Sequence, residues 1–285
     1  MSATALRPRK RAVGHARRSK PALARRGARR RSSRGRILAL VLFAALTGAG
    51  VTLVNGPWLR VERLAHAGER YTPAATLDEI LAAYRGLPLL AVDSGAIVQR
   101  LRSLPAVATA EVSAVLPDQL RVTIAEKQPA FTWVTSRLRL VGAADGTLIG
   151  ELPRDAAVPA ELASLPAVDD QRRRSRQLIM GDVIPPDELG MALRLLDVKP
   201  ALLGSASTGL SLRIDAEYGF VLVSVQPGWQ AALGFSGLDP AGEEVAAEAR
   251  FDQQAAAIRT LFATQPEASV RWVDARNPGK VYWAP

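Results

Sequence analysis

The period of hydrophobic and polar positions changes along the chain, and each change marks an element. The sharpest break is Ile37 to Val54, ILALVLFAALTGAGVTLV, which carries no charge; none follows until Arg60. Eighteen helical residues rise about 27 Å, close to the hydrocarbon thickness of a bilayer. A core helix of that length would show a polar stripe. The run therefore predicts one transmembrane helix over 37–58, with Trp58 at the water–lipid boundary after Asn55-Gly56-Pro57. A cleaved signal peptide is the rival reading; the long basic leader and the length of the apolar run oppose it.

Beyond the span, periods of 2 and 3.6 alternate. Val61 to Ala67 reads as extended and is closed by Gly68. Thr76-Leu77-Asp78-Glu79 has the form of a capping box ahead of Ile80, Leu81 and Tyr84, and Gly86 ends that helix. Asp93 or Ser94 can cap a second helix bearing Ile97, Val98, Leu101 and Leu104. Val107 to Val115 alternates, Pro117-Asp118 turns, and Leu120, Val122 and Ile124 alternate with polar or small neighbours. The order is β-α-α-β-β, two helices on one face of a small sheet.

Gln128-Pro129 opens a second unit. Phe131 to Thr135, Leu138 to Val141 and Thr147 to Ile149 read as strands, with Asp145-Gly146 as a hairpin turn. Pro153 to Arg176 is rich in Pro, Ala and charge and reads as a long surface loop, with Arg172-Arg173-Arg174 a solvated face. A helix over Pro186-Asp187-Glu188 buries Leu189, Leu193 and Leu196; Leu210 to Ile214 and Phe220 to Val225 pair across a turn at 216–218. Phe251, Ala255, Ile258 and Phe262 mark an amphipathic helix, and Val270 to Asp274 and Val281 to Trp283 are closing strands. The fold class is α+β: one transmembrane helix, a β-α-α-β-β domain, and a second mixed β-sheet domain with helices.

Charge changes the picture in one place. Fourteen of the 37 Lys/Arg lie in residues 1–36, where there is no Asp or Glu, leaving 23 basic against 27 acidic residues elsewhere. The net +10 thus belongs to a tail that is predicted disordered, sits on the cytoplasmic side and lies on anionic lipid. No aromatic residue interrupts it to stack on a base, so nucleic-acid binding is not expected. The C-terminal mass is then extracytoplasmic.

Chemistry-bearing patterns are lacking. The chain has no cysteine and two histidines, His15 and His66, which removes thiolate catalysis and Cys-based zinc sites from consideration. His66 reads as a surface strand residue. Neither a Walker spacing nor a G-x-S-x-G elbow occurs, and the pairs Asp169-Asp170 and Glu243-Glu244 lie in polar stretches where nothing raises a carboxylate pKa. No catalytic, cofactor-binding or metal residue, no cofactor, no small-molecule substrate and no enzyme activity is expected.

Three fragments occur in series beside the anchor: Leu104-Pro105-Ala106-Val107, then Leu116-Pro117-Asp118-Gln119-Leu120, then Glu126-Lys127-Gln128-Pro129-Ala130-Phe131-Thr132-Trp133. With Val273-Asp274-Ala275-Arg276 and Val281-Tyr282-Trp283-Ala284-Pro285, the chain resembles the FtsQ/DivIB family of bacterial cell-division proteins over nearly its whole length. It departs at Ala106, where many members carry Trp. The resemblance implies a basic cytoplasmic tail over 1–36, the span over 37–58, a POTRA domain over 59–127 and an FtsQ-type β domain over 128–285. It implies a non-enzymatic division scaffold in the plasma membrane, concentrated at the septum. Its partners would be FtsB and FtsL, in a complex that helps control septal wall synthesis by FtsW and FtsI. Family members bind by adding a partner strand to the last part of the β domain, which implies Arg276 on the penultimate strand and Val281, Tyr282 and Trp283 on the last as partner-binding residues. Burial of Tyr282 and Trp283 in the core is the competing expectation. A POTRA-type chaperone or scaffold of polypeptide export is the alternative function; it would call for tandem POTRA patterns or a barrel.

Overall fold

The structure is a computed structural model and describes residues 33–55, 57–235, 245–277 and 279–285. The tail lies outside these residues, except that helix α1 begins at Ser33 and runs to Asn55. Its described side chains are all exposed, as an apolar helix suited to crossing a membrane would be.

The first domain follows a short 3-10 turn, Pro57–Leu59. Strand β1 (Arg63–Ala67), helices α2 (Ala74–Ala82) and α3 (Ser94–Arg102), and strands β2 (Val107–Val115) and β3 (Gln119–Glu126) come in the expected order. The sheet order is β1-β3-β2, with β1 parallel and β2 antiparallel to β3. Alternation along β3 buries Leu120, Val122 and Ile124 against Leu77, Leu81, Ile97 and Leu101. Each such side chain contributes about 1.5–3 kcal/mol when fully buried. Asp93 caps α3, its carboxylate accepting from the Ala96 N–H at 3.1 Å. Helix α2 corrects the capping-box expectation: it starts at Ala74, after Pro73, with no side-chain cap. Pro73 is the N-cap, its C=O accepting from the Thr76 N–H at 3.0 Å, so the helix begins three residues earlier than a Thr76 cap would place it and Thr76 falls in its first turn.

The second domain is built on nine strands: β4 (Pro129–Val134), β5 (Leu138–Ala143), β6 (Leu148–Pro153), β7 (Ala167–Asp170), β8 (Leu210–Asp215), β9 (Gly219–Ser224), β10 (Gln230–Gly234), β11 (Trp272–Asp274) and β12 (Tyr282–Ala284). Helices α4 (Ala160–Ala163), α5 (Pro186–Leu196) and α6 (Val245–Thr264) connect them. The sheet order is β12-β11-β10-β9-β8-β7-β4-β5-β6. Pairs β4–β7, β7–β8 and β10–β11 are parallel. Helix α5 buries Leu189, Met191, Ala192 and Leu195 rather than the stripe through Leu193 and Leu196, which are half-buried.

The expected surface loop from Pro153 to Arg176 is corrected most. It contains β7, a central strand, and two of its charges, Asp170 and Arg172, are buried. Asp170 is fully buried. It accepts from the Trp133 indole N–H at 3.0 Å and from Arg172 Nε at 2.8 Å and the Arg172 backbone N–H at 3.1 Å. Arg172 also meets Glu188, which Arg174 reaches at 2.8 Å. Of the expected solvated Arg172-Arg173-Arg174 face, Arg172 is therefore buried. Desolvation lowers the Arg172 pKa, but the two carboxylates outweigh it and the net shift is upward. His66 lies on strand β1, as expected, and is half-buried: Nδ1 is 2.9 Å from Glu69 and Nε2 3.3 Å from Asp78, tying β1 to α2.

Glu126, the Glu of the third fragment, holds the segment 70–72 within the first domain. Its carboxylate accepts the backbone N–H groups of Arg70, Tyr71 and Thr72 at 3.0, 2.8 and 2.7 Å. Tyr71 packs over Gly150 of β6, and a small shared core of Ala106, Val141, Ala143, Ile149 and Leu162 lies alongside. Ala106 is fully buried there. Lys127 reaches Asp145 at 2.8 Å and, through that hydrogen bond first, holds its pKa down to about 2. At Glu126 burial pushes the pKa up, but the three N–H donors prevail and it lies below its ordinary 4.5. A carboxyl that ionises more readily folded than unfolded adds stability above the unfolded value, and that stability fades as pH falls through the folded one. Glu126→Gln should therefore cost about 1–2 kcal/mol near neutrality and flatten the acid limb of stability against pH. Urea unfolding followed by tryptophan fluorescence across that range checks both; an unchanged acid limb would contradict the assignment.

Candidate partner-binding edge

A sheet has two edges, and here they differ. Beside β6, the segment 181–183 fills part of the edge, with the Leu148 N–H donating to Asp182 and Leu148 accepting from the Gly181 N–H, each at 2.8 Å. Strand β12 pairs only with β11 among the described residues. Its outer side leaves backbone donors and acceptors for another strand.

The register places the side chains. Trp272 faces Ala284, Val273 faces Trp283 and Asp274 faces Tyr282. Directly opposed residues of an antiparallel pair share a sheet face. Trp283 therefore lies on the face of Val273, which is fully buried, yet remains 40% exposed at the rim. Tyr282 lies on the other face and is 58% exposed. Neither aromatic closes the core; half-buried Val281 packs against it instead.

Arg276 lies two residues past the end of β11 rather than on it. Asp274 fixes it there, accepting from Nε at 3.0 Å, Nη2 at 2.7 Å and the Arg276 backbone N–H at 3.1 Å. The guanidinium stacks 5.0 Å over the Tyr218 ring, which meets Trp272 edge-on at 4.8 Å. The hydrogen bonds from Arg276 depress the Asp274 pKa, so the pair stays ionised through the neutral range. Gln254 of α6 supports the arrangement from the core, donating to Leu233 O at 2.9 Å and Ala275 O at 2.8 Å. Gly219 and Gly234 allow β9 and β10 to close nearby: both have positive φ, and a Cβ on Gly219 would fall 2.3 Å from Gly234 C.

The structure thus brings Tyr282, Trp283 and Arg276 to one end of the sheet and adds Tyr218, Trp272 and Asp274. Tyr218 had appeared only as a turn residue, and Trp272 as one position in a short strand. Arg after a strand-ending Asp was the one available signal for the ion pair. No group of three or more metal-ligating side chains occurs among the described residues.

The family model "POTRA domain, FtsQ-type" matches residues 59–127. A cell division protein FtsQ of Anaeromyxobacter sp. (strain K) is 33% identical over 220 residues, 74% of this chain and 71% of that protein. The chain belongs to the FtsQ family of cell division proteins. FtsQ of Streptomyces collinus is 33% identical over 127 residues, 39% of this chain, and FtsQ of Mycobacteroides abscessus is 29% identical over 153 residues, 52% of this chain. Each of these two matches spans 48% of the relative's own length. The matched FtsQ-type domain ends at Lys127, the residue after Glu126. With one apolar helix near its N-terminus, the chain fits a single-pass membrane protein with a role in cell division.

Proposed function

We propose that this chain is a non-enzymatic scaffold of the division machinery, spanning the plasma membrane once and holding its POTRA and β domains on the extracytoplasmic side at the septum. Its partner is a single-span division protein of the FtsB or FtsL kind, which adds a strand to β12 and so helps control septal wall synthesis. The observation that carries this reading is the open edge of β12 with two exposed aromatic side chains. Strand addition satisfies the unpaired backbone groups, while aromatic and Arg side chains supply specificity. Arg276, Val281, Tyr282 and Trp283 are the residues assigned to it.

Depletion of the protein in its host, with a fluorescent fusion for localisation, tests the role. Mid-cell rings and filamentous cells after loss are expected. A uniform envelope signal with normal septation would overturn it.

A further inference from the structure

Exposed large apolar side chains scattered singly over a surface are ordinary. In the first domain they are not scattered. Among the described residues from 58 to 127, those exposed are Trp58 (76%), Leu87 (44%), Leu90 (53%) and Leu116 (63%). They come from three separate segments that hydrogen bonding gathers at the start of β1. The Val61 N–H donates to Leu87 O at 2.9 Å, and Arg60 bridges Pro88. The Glu62 and Arg63 N–H groups both donate to Asp118 O, at 2.9 and 3.1 Å. Strand β1 runs parallel to β3 from the pair Arg63–Gln119, so the 116–118 turn sits at the same end.

The domain's own core does not account for these side chains. Leu89 is buried at 1% exposure while Leu87 and Leu90 on either side point out. The same segments carry Arg60, which donates to Gly86 O at 2.8 Å, and Arg63, which pairs with Asp118. Trp58 follows the last residue of α1 after only Gly56 and Pro57.

We infer that this end of the POTRA domain is a lipid-contacting face, with Trp58, Leu87, Leu90 and Leu116 seated at the headgroup–acyl boundary of a phospholipid bilayer. A chain anchored three residues before Trp58 keeps a bilayer at high effective concentration beside this face. Tryptophan flanked by leucine and arginine has the amphipathic character of that boundary. The inference rests on α1 spanning a membrane, and it is independent of which partner binds β12.

The absence of native cysteine makes the test direct. The full chain carrying Leu87→Cys, Leu90→Cys or Leu116→Cys is labelled with an environment-sensitive nitrobenzoxadiazole dye and reconstituted in phosphatidylethanolamine–phosphatidylglycerol vesicles. Ile179→Cys is the control: that side chain is 52% exposed, in a segment that approaches Pro105 through Gly181, at the opposite end of β2 from Leu116. Lipids spin-labelled on the acyl chain should quench the dye several-fold at 87, 90 and 116 and leave it unchanged at 179. Equal, water-like emission at all four positions would overturn the inference. So would dyes that lose water contact only when a partner protein is added, since that result assigns the face to protein.

Discussion

Asp170→Ala is expected to destabilise the protein by about 3–5 kcal/mol, the range for removing one member of a buried ion pair. The carboxylate is fully buried and holds Arg172 and the Trp133 indole. Without it, Arg172 keeps Glu188 but has lost its second counter-charge inside the sheet. The cost comes mainly from the stranded guanidinium, not from lost packing, because Asp to Ala removes little volume. That assignment has its own check. Adding Arg172→Met should restore part of the loss, since it removes the stranded guanidinium while Arg174 still holds Glu188 at 2.8 Å. Chemical unfolding of the single and double variants decides; additive losses would place the cost in packing and contradict the ion-pair account.

Trp283→Ala is expected to weaken capture of an FtsB-like partner by at least about 2 kcal/mol, roughly 30-fold, with little effect on stability. The side chain stands at the rim of the sheet at 40% exposure and contributes to no buried cluster. Tyr282→Ala should act similarly from the opposite face. Arg276→Ala differs in kind, because Asp274 loses its bidentate partner and Tyr218 its stacked cation; a combined loss of stability and affinity is expected there. Ile179→Ala, also exposed but away from β12, should change neither. Titration of the full chain in nanodiscs measures the affinities, and undiminished binding by Trp283→Ala would remove this residue from the interface.

Sequence reasoning reached the elements whose burial follows a simple period. In β3, the alternation of Leu120, Val122 and Ile124 is the burial pattern itself. The apolar run of α1 and the cap at Asp93 are equally local signals. Strands β7 and β10 escaped because neither alternates. Ala167-Val168-Asp169-Asp170 has one large apolar residue and buries an aspartate whose partners, Trp133 and Arg172, come from other parts of the fold. In β10, Ala231, Ala232 and Leu233 are all buried, so both faces of the strand are covered and no polar phase remains to read. The same limit applied at the edge. Tyr282 and Trp283 were legible as candidates, but whether they close the core depended on Val281 taking that place. The stack of Arg276 on Tyr218 joins residues 58 positions apart and left no sequence pattern.

Strand addition at β12 is read directly at the backbone by amide hydrogen exchange. The full chain in nanodiscs is compared with and without the FtsB-like protein of the same host. Slowed exchange within 281–285, reduced by Trp283→Ala, is the predicted result. Partner binding that leaves 281–285 unprotected while other segments slow would contradict it.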